Sequence, residues 1–396
     1  MGGVKRAHEE AMDRGWNDID KFVCVSCVED EHLQQLITSS LTGEGCDYCD
    51  SSSQEIMAAP VEAIMEAVSG TLKTYYNSIE ASGFPRGDGY RIEDWVTTEQ
   101  ALYSLPFDVN SALFSDVVNS FVNQSWIETA NGWWGSSHQS VILENAWQRF
   151  SIEVKEKSRY FFSQPENKAD PFLDHENISA LSLMDAIGKG SEDLGLITPL
   201  IMNSRYYRVR SGPGYFKYSD IGPPGVGVAG SGRMNPEGIS YFYLADNELT
   251  AIVETRLSDG EEASLATFEI SSELKVLDFT QTMQEPPKFA PNSYYLSEMI
   301  KFLREFVSQI RKPVGKASSL EYIPTQVLSE YFAKVFRCED GSKIDGFIYS
   351  SATSSIGNNL VLFPESHASN GWERVAALKD AQNIMVRSSV DGFETI

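Results

Sequence analysis

Cys24-x-x-Cys27 and Cys46-x-x-Cys49, with eighteen residues between the two pairs, leave the start of this chain few ways to fold. Each pair turns two sulfurs to one side, and a tetrahedral zinc ion needs two such pairs. The other use of four cysteines, two disulfides, belongs to an oxidising compartment. A zinc held by Cys24, Cys27, Cys46 and Cys49 has every position taken by protein, with no place for an activated water. It is therefore expected to hold a fold and not to do chemistry. Cys338 stands alone and reads as buried filler.

The compartment follows from the rest of the chain. No stretch approaches the ~18 consecutive apolar residues of a membrane helix, and the opening MGGVKRAHEEAMDRGWNDIDKF has no apolar signal core. A cytoplasmic protein without membrane attachment is expected. The 56 acidic residues against 32 basic ones give a net charge of −24, which repels a phosphate backbone, so nucleic acid is not expected as a partner. A small phosphorylated ligand remains open, since it needs only a few well-placed arginines.

With 396 residues the chain has room for two or three domains, and 42% hydrophobic residues are enough for a sizeable core. Residues 1–53 form the zinc-knuckle region. From 54 to 165 the pattern is helical: Val61, Ile64, Met65, Val68 and Leu72 recur at three-and-four spacing after Pro60, and similar runs pass through Leu113, Val117, Phe121 and through Ala146, Phe150, Val154. A bundle of four or five helices is expected, interrupted by the turn-rich GFPRGDGYRIEDW (83–95). Residues 166–178 read as a linker. From 179 to 396 short β-prone runs at 206–210, 240–244, 266–270, 275–279, 347–349 and 360–363 alternate with helical stretches near 246–257, 294–310 and 325–336. That pattern predicts an α+β domain with a mixed sheet.

GVGVAG (225–230) matches the string of a dinucleotide-binding turn, but Gly222-Pro-Pro precedes it and Ser231-Gly-Arg-Met-Asn-Pro follows, where a strand and a helix are required. It reads as a glycine loop that lets backbone approach a ligand. The stretch after it is richer in chemistry. In Tyr241-Phe-Tyr243-Leu, alternation puts two phenol rings on one strand face, able to stack on a flat ring. Asp246 is a plausible N-cap for a helix with the stripe Leu249, Ile252, Val253, and Glu254 falls off that stripe.

These residues carry a resemblance. Tyr207-Arg208-Val-Arg210, Gly232-Arg233-Met-Asn235-Pro236-x-Gly238, Tyr241-Phe-Tyr243-Leu-Ala with Ala251-Ile-Val-Glu254, Tyr322-Ile-Pro-Thr325-Gln326, Asp345-Gly346-Phe-Ile-Tyr349-Ser-Ser351 and Asn359-Leu-Val-Leu-Phe363 resemble, in order, the conserved blocks of RES-domain proteins. The blocks span about 200–365. Met234 stands where an aromatic is usual in that family, and Ser350 where proline is frequent. The cysteine knuckles and helical region resemble the HEPN-like N-terminal region fused to some RES domains, although no Arg is followed four to six residues later by His, as in helical ribonucleases of that type.

The resemblance implies a fold similar to ADP-ribosyltransferases and consumption of NAD as substrate, with nicotinamide released by hydrolysis or phosphorolysis. Breaking the nicotinamide–ribose bond builds positive charge on the ribose carbon, which a carboxylate stabilises. Glu254, Arg208 and Ser351 are then the expected catalytic residues. Arg233, Tyr243, Asn359 and Tyr207 are expected to bind the nucleotide, the arginines at the pyrophosphate and Tyr243 against nicotinamide. A toxin or defence effector is implied, with inorganic phosphate as a possible second substrate and a protein partner that inhibits or triggers it. Transfer of ADP-ribose to protein, or nucleotide binding without turnover, stays open at this point.

Overall fold

The computed structural model describes residues 2–49, 51–79, 95–130, 137–162, 178–225, 227–311, 319–353, 357–364, 371–389 and 392–395. Most of the turn-rich segment 83–95 and of the linker 166–178 lies outside them. The chain divides into two compact units: 1–142 with 284–301, and 143–283 with 302–396.

In the first unit the elements are α1 (Gly2–Arg14), β1 (Phe22–Cys24), α2 (Glu31–Ser39), β2 (Ala58–Pro60), α3 (Glu62–Tyr75), β3 (Tyr76–Ser78), β4 (Trp95–Thr97), α4 (Thr98–Ser104), α5 (Ser111–Ser120) and β5 (Ser125–Glu128). The helices begin where polar side chains can take the unpaired first amides. Asp30 accepts from the amides of His32 and Leu33, Thr97 and Gln100 form a reciprocal capping pair, and Asn110 accepts from Ala112. The apolar stripe of α3 is buried as its spacing predicts, with Ile64, Met65, Val68 and Leu72 packed against Leu33 and Ile37 of α2. Helical periodicity did not announce the antiparallel sheet β3-β5-β4, whose strands of three or four residues are too short for a period to register.

The second unit holds α6 (Gln139–Ile152) from Leu143 onward, α7 (Ala180–Asp193), β6 (Ile197–Leu200), β7 (Arg205–Ser211), α8 (Tyr218–Ile221), β8 (Phe242–Ala245), α9 (Glu248–Glu254), β9 (Glu262–Ile270) and β10 (Leu274–Asp278). It continues with α10 (Ser293–Arg311) from Phe302, then α11 (Ile323–Lys334), β11 (Gly346–Ser350), β12 (Asn358–Leu362), β13 (Ala376–Ser389) and β14 (Gly392–Thr395). Its nine strands form one mixed sheet in the order β14-β13-β9-β7-β8-β12-β11-β10-β6. Among the described residues only β10 and β11 run parallel. On one face Phe242, Leu244, Phe268, Ile270, Leu360 and Leu362 form a core. On the other, Val209, Ala245 and Leu265 take the buried side of α9.

Six of these strands coincide with the β-prone runs. Two of the others were hidden for physical reasons: β6 carries Pro199, which a sheet tolerates at its edge, and in β13 polar residues fall in adjacent pairs, Lys379-Asp380 and Gln382-Asn383, which breaks alternation. The loop at 225–230 opens no helix; Gly227 has φ +80° and its amide meets the carbonyl of Gly238. No described helix is long and apolar enough to cross a membrane.

Candidate active site

The sheet opens between β7 and β8. These neighbours share a single registered pair, Tyr207 with Ala245, whereas β7 and β9 pair over seven residues from Arg205 to Ser211. Where backbone pairing is missing, Arg208 Nη1 donates to the carbonyl of Tyr243 at 2.8 Å, and the guanidinium lies 5.8 Å over the Phe242 ring. Burial, helped by the neighbouring Arg210, lowers Arg208 to about 10, which leaves it a cation at neutral pH.

Across the opening stands α9. Its N-cap is Asn247, which accepts from the amide of Thr250 at 2.8 Å, and not Asp246 as the sequence suggested. Asp246 is used otherwise: it accepts from the backbone amide and side-chain amide of Asn358 at 3.0 and 2.9 Å, tying the start of α9 to β12. The last residue of the helix, Glu254, is thereby held over the end of β11 and the start of β12. Ser351 Oγ donates to Glu254 Oε1 at 2.6 Å and Asn359 Nδ2 donates to the same oxygen at 2.7 Å. Both donors are buried. The Ser351 hydroxyl is itself fixed by the amide of Thr353 at 3.1 Å.

A third wall comes from the loop 231–238. The Asn235 amide donates to the carbonyls of Gly230, Pro236 and Ile239, at 2.9, 3.1 and 2.9 Å. Its Oδ1 accepts from the Tyr243 hydroxyl at 2.8 Å, which in turn accepts from the amide of Met234 at 3.0 Å. A side chain at Gly232 would press on Asn235 Oδ1 and come within 2.7 Å of the Tyr243 hydroxyl, so the close approach requires glycine. Arg233 donates through Nη1 to the carbonyl of Ile310, and its guanidinium lies 5.3 Å over the Tyr322 ring. Met234 fills its position from within, buried and in contact with the Ser329 hydroxyl. Burial pushes the phenols of Tyr243 and Tyr349 well up, so both are neutral hydrogen-bonding groups.

Together these walls enclose a cavity of about 570 Å³. Tyr207, Arg208, Arg233, Tyr243, Glu254 and Asn359 line it, and Ser351 supports it through Glu254. Tyr241 does not: it is buried against Phe363 at 5.5 Å, so the strand shows the cavity one phenol rather than two. Sequence reasoning missed Tyr322, Tyr349, Thr353 and Arg256 as lining residues. Tyr322 and Tyr349 lay in quoted blocks, and Arg256 follows Glu254 by two positions in the left-handed region, with φ +51°. Three arginines, a fixed carboxylate and an aromatic wall suit a ligand that carries phosphate and a planar ring.

In the first unit the four early cysteines converge. Cys24 and Cys49 sulfurs lie 3.6 Å apart, Cys27 and Cys46 3.7 Å, Cys24 and Cys27 3.9 Å, and all four lie within 4.8 Å of one another. Metal–thiolate bonds of about 2.3 Å in a tetrahedron put sulfurs about 3.8 Å apart. A disulfide needs about 2.05 Å, and all the cysteines are free. The Cys24 amide points at Cys46 Sγ from 3.4 Å. The cluster can hold a metal ion, and Cys338 lies buried elsewhere.

Comparison with known proteins bears on both halves. The family described as RES domain matches residues 205–382, and HEPN/RES N-terminal domain 1 matches residues 39–168. No curated protein and no solved structure matches the chain.

Proposed function

We propose, for a chain that is a RES-domain protein with a HEPN/RES N-terminal domain, that it degrades NAD by breaking the bond between nicotinamide and ribose. RES domains are associated with NAD-related chemistry and with toxin–antitoxin systems, and in this proposal the chain is a toxin or defence effector. The observation that carries it is the Glu254 carboxylate, fixed by Ser351 and Asn359 in a cavity that also presents Arg208 and Arg233.

The chemistry asks for that arrangement. As the C1′–N bond breaks, nicotinamide leaves as a neutral molecule with the bonding pair, and positive charge gathers on the ribose carbon. Glu254 stabilises that charge, and two donors on one oxygen keep the carboxylate aimed. Arg208 and Arg233 take the pyrophosphate, and Tyr243, its hydroxyl already engaged by Asn235, offers a ring face to the planar leaving group. Water or inorganic phosphate then bonds to C1′ through oxygen and gives up its proton to solvent. In the first unit, the thiolates of Cys24, Cys27, Cys46 and Cys49 hold a zinc ion of structural use, since four protein ligands complete its coordination.

The test incubates the purified chain with NAD, with and without inorganic phosphate, and follows products by chromatography and mass. Nicotinamide is expected, with ADP-ribose if water accepts and ADP-ribose phosphate if phosphate does. A folded chain that binds NAD yet releases no nicotinamide under either condition would sink the reading.

A further inference from the structure

Arg233 and Tyr322 line the cavity described above, and the same two residues line a second cavity of about 390 Å³. Its other walls include Gln148 and Ser151 of α6, Lys155 of the turn that continues that helix, and Gln309 near the end of α10. At the junction the Arg233 guanidinium is fixed between the Ile310 carbonyl and the Tyr322 ring. Lys155 is held by Glu321, next to Tyr322, at 3.1 Å.

NAD has two ring-bearing halves joined through a pyrophosphate. If the nicotinamide half occupies the cavity with Glu254, a pyrophosphate at Arg233 directs the other half into the second cavity. We propose that the adenosine half lies there, an inference that rests on the NAD reading. Gln148, Ser151 and Gln309 are neutral donors and acceptors suited to ribose hydroxyls and to the edge of a base, and Tyr322 offers an aromatic face. Residues 143–157 fall within the stretch matched as HEPN/RES N-terminal domain, yet they belong to the same compact unit as the large sheet. The N-terminal domain thus contributes a helix to the substrate site, and preference for a dinucleotide over a mononucleotide depends on it.

The experiment fills the second cavity from opposite walls, with Ser151→Trp and Gln309→Trp, each in a full-length Glu254→Gln background so that ligand is not consumed. Calorimetry measures the affinities of NAD and nicotinamide mononucleotide, and thermal melting checks folding. The ratio of NAD to mononucleotide affinity is expected to fall at least about tenfold in each variant. An unchanged ratio, or equal loss for both ligands, overturns the inference and leaves the NAD reading standing. Failure of the Glu254→Gln parent to bind NAD overturns both.

Discussion

Replacing Glu254 by Gln removes a charge and little else. A glutamine oxygen can still accept from the Ser351 hydroxyl and the Asn359 amide, so the side chain keeps its place. A carboxylate about 4 Å from a developing unit charge contributes about 4 kcal/mol at an effective dielectric near 20. Glu254 is exposed within the cavity, and water there lowers the figure toward about 2.7 kcal/mol, the lower end for preorganised groups of this kind. At about 1.4 kcal/mol per decade, kcat should fall ~100- to 1000-fold. The assay is the initial rate of nicotinamide release at saturating NAD, with NAD affinity and melting temperature measured on both proteins. Affinity should change much less than kcat, because the positive charge sits on the nicotinamide ring in bound NAD and moves onto the ribose carbon only in the transition state. A variant that keeps its melting temperature and a kcat within about tenfold of the wild type would refute the electrostatic role.

Ser351→Ala removes one of the two donors on Glu254 and is expected to lower kcat by ~10- to 100-fold with little change in KM, the range for a lost charge-assisted hydrogen bond; initial rates over a range of NAD concentrations check it. In the first unit, Glu298 is 1% exposed. Burial opposes its ionisation, but Lys301 at 2.7 Å and the hydroxyl and amide of Ser140 outweigh it and bring its carboxyl below the ordinary value. A depressed carboxyl pKa gives stability that is present above the unfolded value of about 4.3 and lost as pH falls through the folded one. Glu298→Gln should therefore melt below the wild type at pH 7, and the gap should close in melts below about pH 4. Removing metal with a strong chelator should lower the melting temperature and loosen the first unit in circular dichroism, with zinc restoring both; Cys27→Ser should do the same without rescue.

Local features of the fold were legible in the order of residues. Cysteine spacing set a four-sulfur cluster, short β-prone runs set six strands of the large sheet, and three-and-four spacing set the buried stripe of α3. Such patterns are legible because a strand repeats every two residues and a helix every 3.6, so neighbours in sequence report their own surroundings. The tertiary structure alone decided that Ser351 and Asn359 meet on a single oxygen of Glu254, across 97 and 105 positions of chain. It also decided that Tyr243 faces the cavity while Tyr241 is buried, and that Asp246 binds β12 instead of capping α9. Strand order fixes these outcomes. With β8 lying between β7 and β12, and only one registered pair joining β7 to β8, the sheet opens at the place where side chains from distant segments converge. No local period encodes that gap, because it arises from pairings between residues far apart in the chain.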